Sequence, residues 1–395
     1  MAEESKTSFS VDMRKLLRLL PLLALLVIAR ADGEIPSCGS ERDPLLPVVV
    51  GKLWGYADMS GNIVIQPKFR RALPFSANGL AWVVLDGTSF IPFDHSNVVN
   101  QPEGIAFEIN YGGTGFTWSC IDRSGNIVFH CEYPTIKPFF IDGLCPVFSG
   151  SEYFGGGWGY CDSTGTLVIP GKFAKAGYFS NGRALVSFQK EFSKYGYIDR
   201  TGKMIVEPKL EDARRFSEGL AAVEVDGKWG FIDTTGTFII QPKFLGAGEF
   251  SEGLAWATVK DKAGYIDRTG TFIIPPKFAS VGRFSQGLVR TDVKKKFGFI
   301  DRRGVFAIPA TFEQKQVSGF DFDFRINDFA CGRAPVMIGD KYGYIDTSGK
   351  MVIAPTFTDA FSFHQGAALV RDGDAWAYID ITGRVIWSTE SPSPR

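Results

Sequence analysis

From about residue 50 onward, the chain alternates short apolar runs with turn-forming residues. Val, Ile, Phe, Tyr and Trp cluster in the runs, and Gly, Pro, Asp and Asn separate them. Runs of this composition are typical of β-strands joined by tight turns. Residues 218–244 hold three such runs, with Asp226-Gly227 after the first and Pro242 near the end of the third. This pattern predicts a three-stranded antiparallel meander, because Asp-Gly favours a tight hairpin and Pro cannot continue a paired strand.

An Asp-x-x-Gly motif follows the second run of each such unit. Asp at its first position and Gly at its fourth suit a type I turn, in which the carboxylate accepts backbone N–H groups. The interval between successive motifs is most often 34 residues. A degenerate copy at 93–107, with Asn97 in the Gly position, brings the expected number of units to ten. The motif aspartates are Asp58, Asp122, Asp162, Asp199, Asp233, Asp267, Asp301, Asp346 and Asp380.

The repeat predicts an all-β array of about ten three-stranded antiparallel meanders, either a curved solenoid or a propeller-like ring. One meander buries too little surface to fold alone, so neighbouring units must stack. Propellers typically have about four to eight blades of four strands, so ten three-stranded units favour the open, curved form. The array is assigned to residues 50–387, between a linker at 32–49 and a disordered tail at 388–395.

The N-terminus predicts export. Residues 19–29 are apolar and follow Arg14, Lys15 and Arg18. Eleven helical residues are too short for the ~30 Å core of a bilayer, but they fit the apolar region of a signal peptide. Cleavage is expected after Ala31. We therefore expect residues 1–31 to be a signal peptide and the mature protein to be secreted or extracytoplasmic (periplasm or cell surface), without a stable membrane span.

The amino-acid composition excludes several classes of protein. With 45 Gly and 21 Pro the chain is not a helical bundle or a coiled coil, because both residues disfavour helix interiors. Its 43 basic residues balance its 43 acidic residues, so it lacks the positive charge that nucleic-acid binding usually requires.

The repeat motifs resemble a known family. Lys228-Trp229-Gly230-Phe231-Ile232-Asp233, together with Phe216-Ser217-Glu218-Gly219-Leu220-Ala221, strongly resembles the WG-repeat family. The resemblance covers about residues 50 to 387. It implies a scaffold or binding role outside the cytoplasm, because the family has no unifying enzymatic activity. Variation at the Trp-Gly pair is seen at Trp118-Ser119, Tyr195-Gly196, Ala263-Gly264, Phe297-Gly298, Tyr342-Gly343 and Trp376-Ala377.

Catalytic and metal-binding motifs are not found in the sequence. His95, His130 and His364 stand at turn-like positions where a solvated side chain is expected, and no triad or metal-ligand spacing accompanies them. We therefore expect no enzymatic activity, no cofactor and no metal. Four cysteines, Cys120, Cys131, Cys145 and Cys161, lie close in sequence. One or two disulfides and small buried thiols are equally compatible with them. The lysine of the recurring Pro-Lys-Phe segment is expected to lie over the aromatic ring near it.

Departures from the repeat supply the candidate binding residues, because binding residues concentrate on loops over a rigid scaffold. The insertion at 314–333 alternates aromatic and acidic residues, which could form a recognition surface or a plain strand with one buried face. Trp82 and Trp256 could stack on sugar rings or pack in the core. The insertion candidates are Phe320, Asp321, Phe322, Asp323, Arg325 and Asp328.

Three functions are compatible with these residues. The first is a non-enzymatic interaction scaffold that binds a protein or glycan ligand at the repeat surface or the insertion. The second is a carbohydrate- or cell-envelope-binding module that uses Trp82 or Trp256. The third is a glycosidase-type enzyme with a carboxylate pair such as Asp321 with Asp323 or Asp328.

Overall fold

The computed structural model describes residues 44–85, 118–131, 133, 135–137, 139–150, 156–189, 194–279, 281–313 and 328–389. These residues form eight antiparallel sheets that contain nine repeat units. The all-β expectation is therefore confirmed. The degenerate tenth copy at 93–107 falls outside the described residues.

The strands are numbered in chain order and grouped here by unit. Units 1 to 3 contain β1 (Leu46–Val50), β2 (Leu53–Ala57), β3 (Ile63–Ala72); β4 (Ala81–Leu85), β5 (Trp118–Ile121), β6 (Ile127–His130); and β7 (Thr135–Ile136), β8 (Cys145–Ser149), β9 (Gly157–Cys161), β10 (Leu167–Phe173). Units 4 to 6 contain β11 (Lys175–Ser180), β12 (Arg183–Ser187), β13 (Tyr195–Asp199), β14 (Met204–Leu210); β15 (Leu220–Val225), β16 (Lys228–Asp233), β17 (Phe238–Phe244); and β18 (Gly246–Ala247), β19 (Ala255–Val259), β20 (Lys262–Ile266), β21 (Phe272–Phe278). Units 7 to 9 contain β22 (Leu288–Val293), β23 (Lys296–Asp301), β24 (Phe306–Glu313); β25 (Arg333–Ile338), β26 (Lys341–Asp346), β27 (Met351–Phe357); and β28 (Asp359–Ala360), β29 (Ala367–Asp372), β30 (Ala375–Asp380), β31 (Val385–Ser388).

The first unit begins earlier than the sequence predicted. Strand β1 covers Leu46–Val50, so residues 46–49 of the predicted linker belong to the array, and it pairs along its full length with β2. The sheet of unit 1 also merges with that of unit 2, because the long strand β3 pairs with both β2 and β4.

The Asp-x-x-Gly turns form as predicted. In unit 5, Oδ1 of Asp233 accepts the amides of Thr235 at 2.9 Å and Thr237 at 3.0 Å, and the amide of Gly236 donates to the Asp233 carbonyl. The Thr235 hydroxyl and these amides hold the pKa of Asp233 below its ordinary value. All nine aspartates accept the same pair of amides, two and four residues ahead. Each carboxylate is thus engaged by its own turn.

The glycine of the Trp-Gly pair is explained by a bulge in the outer strand. In unit 5 the register between β16 and β17 shifts between Trp229 and Phe231, so that β17 bends over Gly230. A Cβ atom on Gly230 would lie 2.5 Å from the carbonyl oxygen of Ile240. Unit 9 has Ala377 instead of glycine, and there Ala377 pairs directly with Ser388 in a regular register. The glycine therefore makes room for the bulged Pro-Lys-Phe strand.

A short fourth strand precedes the three-stranded meander in several units. In unit 6, β18 pairs with β19 on the side opposite to β20, so the sheet order is β18-β19-β20-β21. Units 3, 4 and 9 have the same strand, and in units 5 and 7 it is reduced to single bridges, Ala213 to Val223 and Val281 to Thr291. We call this segment the inner strand, because its copies in successive units contact each other. The Ser217 hydroxyl donates to the Phe250 carbonyl at 2.7 Å.

The nine units close into a ring. The turn glycine of each unit packs on the outer strand of the preceding unit, as Gly270 does on Ile240 and Gly383 on Ile353. In unit 1, Gly61 packs on Ile386 of unit 9. One core cluster contains Tyr56 of unit 1 together with residues of unit 9, including Tyr378. The propeller-like form is therefore the one observed, and the preference for an open array is not. Fourth strands in units 3, 4, 6 and 9 give these units the four-stranded sheet of a propeller blade, and the expected count of ten units, which includes the copy at 93–107, is not tested by the described residues.

Candidate functional site

The inner edge of the ring carries the most varied side chains at one repeated position. Each inner strand contains a phenylalanine that packs on the preceding unit, as Phe250 packs on Phe231 with ring centroids 4.9 Å apart. The residue immediately before this phenylalanine differs from unit to unit. From unit 2 to unit 9 these residues are Pro74, Phe139, Tyr178, Arg215, Glu249, Arg283, Asp328 and Ser362.

Neighbours in this series contact each other around the inner edge. Nε of Arg215 lies 3.1 Å from Oε1 of Glu249, and a terminal guanidinium nitrogen of Arg283 lies 2.6 Å from Oε2. The rings of Phe139 and Tyr178 are 6.4 Å apart. The inner edge thus has an aromatic arc in units 3 and 4, and a charged arc from unit 5 to unit 8.

Glu249 is the centre of the charged arc. Burial would raise the pKa of its carboxyl group, but the guanidinium groups of Arg215 and Arg283 outweigh burial and lower it. The carboxylate is therefore charged at neutral pH. Asp328 supplies a second carboxylate at the end of the arc, and the side chain of Arg283 remains 30% exposed.

The two candidate tryptophans are placed differently. Trp82 is fully buried, with its ring stacked on Phe140 at 5.6 Å and in edge contact with Phe129 at 5.4 Å. It has no face for a sugar, so its assignment as a ligand-binding residue is wrong. Trp256 is half-buried and packs over the inner strand of its own unit, so that a Cβ atom on Gly248 would lie 1.9 Å from its Nε1.

The insertion is described only in part. Phe320, Asp321, Phe322, Asp323 and Arg325 lie outside the described residues, and their proposed role stays a prediction. Asp328 is described and belongs to the charged arc of the inner edge, where its carbonyl accepts a hydrogen bond from the Ser362 hydroxyl at 3.2 Å. Sequence reasoning selected Asp328 for its place in the insertion, but it missed Arg215, Glu249 and Arg283. Their common position before the recurring phenylalanine would have identified them.

Among the described histidines and cysteines, His364 differs from the expectation. His364 is buried, not solvated, because it occupies the position where other units place a buried serine such as Ser217. Burial lowers its pKa to about 4. His130 is exposed, as predicted, with Nδ1 2.9 Å from the Ser119 hydroxyl. The four clustered cysteines are buried free thiols, in accordance with the second alternative. Cys331, in contrast, is disulfide-bonded.

The Pro-Lys-Phe lysines lie over aromatic rings, as predicted. Nζ of Lys243 is 5.1 Å from the centroid of the Phe244 ring and donates to the Gly270 carbonyl of the next unit at 3.2 Å. Lys68 and Lys277 make the same pair of contacts in their units. These lysines connect neighbouring units rather than forming a free row of cations.

Within the described part of the chain, no group of three or more His, Cys, Asp or Glu side chains is arranged to hold a metal ion. The same residues include no helix of the length and apolarity that crossing a bilayer requires.

One solved structure shares the fold over most of both chains. A crystal structure of a eukaryotic initiation factor matches with a TM-score of 0.56 at 12% identity, covering 88% of this chain and 96% of the other. Two further structures match less well: Sqt1 of Saccharomyces cerevisiae (TM-score 0.33, 10% identity, 66% and 81% covered) and Hsv2p of Kluyveromyces lactis (TM-score 0.33, 13% identity, 52% and 73% covered). No curated protein matches the chain.

The family model described as the WG containing repeat matches the chain eight times. The matches cover 54–88, 118–153, 158–190, 195–229, 229–262, 264–296, 297–342 and 342–376, which together make up more than half of the sequence. The chain therefore belongs to the family of proteins built from WG repeats.

Proposed function

We propose that this protein is a non-enzymatic binding scaffold of an extracytoplasmic compartment, and that a protein ligand contacts the inner edge of its ring. The observation that carries the proposal is the contrast between two adjacent positions. The inner-strand phenylalanine is the same in units 2 to 9, whereas the residue before it is of seven different types. A constant backbone that presents varied side chains is the arrangement by which repeat proteins form specific binding surfaces.

The charged arc gives this surface its anchor. Arginine is enriched at protein interfaces because its planar guanidinium group makes several directed hydrogen bonds. Arg283 is held in place by Glu249 and is still 30% exposed, so it can bind a ligand carboxylate without a further loss of side-chain freedom. The tyrosine and phenylalanine of the aromatic arc are buried among their neighbours and support the same edge.

An extracytoplasmic location is supported by the cysteine chemistry and by the N-terminal segment. The disulfide at Cys331 is of the kind that persists in oxidising compartments. N-terminal sequencing of the exported protein should give a sequence that begins at Asp32. Recovery of the intact Met1 terminus from the protein would contradict an extracytoplasmic location.

The binding proposal is tested with the mature chain as bait in the native extracytoplasmic fraction. Arg283→Gln should reduce capture of the ligand several-fold, because it removes the exposed charge of the arc. Arg303→Gln is the control: Arg303 pairs with Asp301 in the Asp-x-x-Gly turn of unit 7, and its side chain is 81% exposed. Equal capture by both variants and the parent chain would refute a role for the inner edge.

A glycan ligand is a second candidate, supported by Trp256. One side of its indole is covered by the inner strand, and the residue is partly exposed, which is compatible with stacking on a sugar ring. Binding to a glycan array that is lost in Trp256→Ala but kept in Arg283→Gln would favour this ligand over a protein.

A further inference from the structure

Neighbouring units are joined by a recurrent hydrogen bond to the inner strand. The tyrosine two residues after the Trp position donates its hydroxyl to a carbonyl 17 residues later, in the inner strand of the next unit. Two residues after that carbonyl comes the recurring phenylalanine, whose ring packs on the same tyrosine, as Phe284 does on Tyr265. The donor and acceptor pairs are Tyr56 and Leu73, Tyr160 and Gly177, Tyr197 and Arg214, Tyr265 and Gly282, and Tyr344 and Phe361.

The junction between unit 9 and unit 1 lacks this bond. The hydroxyl of Tyr378 in unit 9 is fully buried and forms no hydrogen bond. Nε2 of His364, at the position of the serines that donate to the next inner strand, is likewise buried and unpartnered. Burying a polar atom without a partner costs about 1–3 kcal/mol, so two such atoms at one junction indicate a missing partner strand.

Strand β1 is open on the side where that partner would lie. In other units the second residue of the equivalent strand offers its carbonyl to an inner-strand amide: Trp256 accepts from Gly248 at 3.0 Å, and Pro146 accepts from Lys137 at 2.9 Å. The equivalent residue of unit 1 is Pro47. Among the described residues no strand pairs with this edge, since β1 is the terminal strand of its sheet.

The flanking parts of the chain cannot repeat the arrangement of the other units. In unit 6 the hairpin between the inner strand and the meander needs positive φ at Glu252 (53°) and Gly253 (77°). Pro44 takes the place of Gly253 in unit 1, and its ring fixes φ near −65°. At the C-terminal end, the repeat offers no substitute either. In unit 9 the amide of Thr358, just before the inner strand, donates to the carbonyl of Arg371. The residue one repeat (34 positions) after Thr358 is Pro392, which has no amide hydrogen.

We infer that the junction between units 9 and 1 is a docking site for an extended segment of another polypeptide, which adds to β1 as the missing inner strand. Strand addition to an open sheet edge is an established mode of peptide recognition. The chemistry of the segment follows from the five junctions that have the tyrosine bond. It supplies one amide to Pro47, one carbonyl to Tyr378, and an aromatic side chain two residues after that carbonyl. This inference rests on the proposed scaffold function and assigns it a partner class.

A peptide copying the protein's own inner strand is the probe. A fluorescein-labelled peptide with the sequence of 244–251 contains Gly248 two residues before Phe250, which is the required spacing. We expect saturable binding to the mature chain by fluorescence anisotropy. A peptide with proline in place of Gly248 should not bind, because it cannot donate to Pro47.

Two tyrosine variants decide whether the peptide occupies the junction. Tyr378→Phe should weaken peptide binding about fivefold, since it removes one neutral hydrogen bond. Tyr344→Phe is the matched control. Its hydroxyl already donates to Phe361 at 2.8 Å, so its loss should lower the unfolding temperature and leave peptide binding unchanged.

Three outcomes would overturn the inference: no peptide binding, equal binding to the Tyr378→Phe variant, or binding that appears only after deletion of residues 32–43. The last would show that the protein's own N-terminal segment fills the site. None of them bears on ligand capture through Arg283, so the scaffold proposal is tested separately.

Discussion

Substituting the glycine of the Trp-Gly pair tests the explanation of the repeat most directly. Gly230 has no positive φ, so backbone preference does not require glycine there. Glycine is required because there is no space for a side chain. A methyl group would lie 2.5 Å from the Ile240 oxygen, 2.7 Å from the Pro242 nitrogen and 3.0 Å from the Gln241 carbonyl carbon, all of them backbone atoms. Gly230→Ala must therefore push β17 away and flatten its bulge.

The expected cost is large for a single methyl group. Overpacking in a well-packed interior costs typically 1–3 kcal/mol, and backbone atoms cannot move aside as a flexible side chain can. We expect a loss of about 3 kcal/mol in the free energy of unfolding. Gly227→Ala is the control. Gly227 has φ of 66° with nothing within 4 Å of the added Cβ, so only the conformational cost of about 1 kcal/mol applies.

Urea unfolding of the mature chain, followed by tryptophan fluorescence, measures both values. Hydrogen exchange of peptides from β17 should also show lower protection in Gly230→Ala. A variant that costs no more than Gly227→Ala would refute the steric explanation. Ala377→Gly in unit 9, where the outer strand has no bulge opposite this residue, should not stabilise the protein.

The remaining predictions concern single residues elsewhere in the ring. Gly236→Ala should cost more than Gly227→Ala in the same urea assay, because it combines φ of 89° with a contact of 2.8 Å to Val206 Cγ2. His364 has a folded pKa of about 4 against about 6.5 unfolded, so its contribution to stability is present above pH 6.5 and is lost as the pH falls towards 4. At pH 5 the loss is about 2 kcal/mol, and His364→Ser should lose less stability between pH 7 and pH 5 than the parent; equal losses would contradict the assignment. Glu249→Gln should destabilise the ring by about 3 kcal/mol at pH 7, because two guanidinium groups lose their shared carboxylate, and a change below 1 kcal/mol would show that water already screens the arc.

The residues of the candidate site could be predicted only in part from the sequence. The insertion drew attention to Asp328 because it interrupts the repeat, and Asp328 does lie on the charged arc. Arg215, Glu249 and Arg283 stand within regular repeats and gave no such signal. Aligning the repeats on the recurring phenylalanine places them at one position, but they become a cluster only when successive inner strands lie side by side. Trp82 and Trp256 occupy equivalent positions in sequence, yet neighbouring rings enclose the first and leave the second half-exposed.

The sequence by itself determined the three strands of the meander, the turns between them and the period of the repeat. An Asp-x-x-Gly turn is settled by contacts that span four residues, such as those between Asp233 and Thr237, and so its residues fix its conformation wherever they occur. The order of strands within a meander follows from the same short turns.

Only the tertiary structure decided the presence of the inner strand, the closure of the ring and the reason for the Trp-Gly glycine. Closure joins Arg384 to the carbonyl of Met59, 325 residues apart in sequence. It depends on the angle between successive units, which adds up over the whole array. The bulge over Gly230 and the unpartnered Tyr378 hydroxyl likewise depend on which strand lies beside which. Contacts of this kind form between segments that are remote in sequence, so their geometry is set by packing and not by local preference.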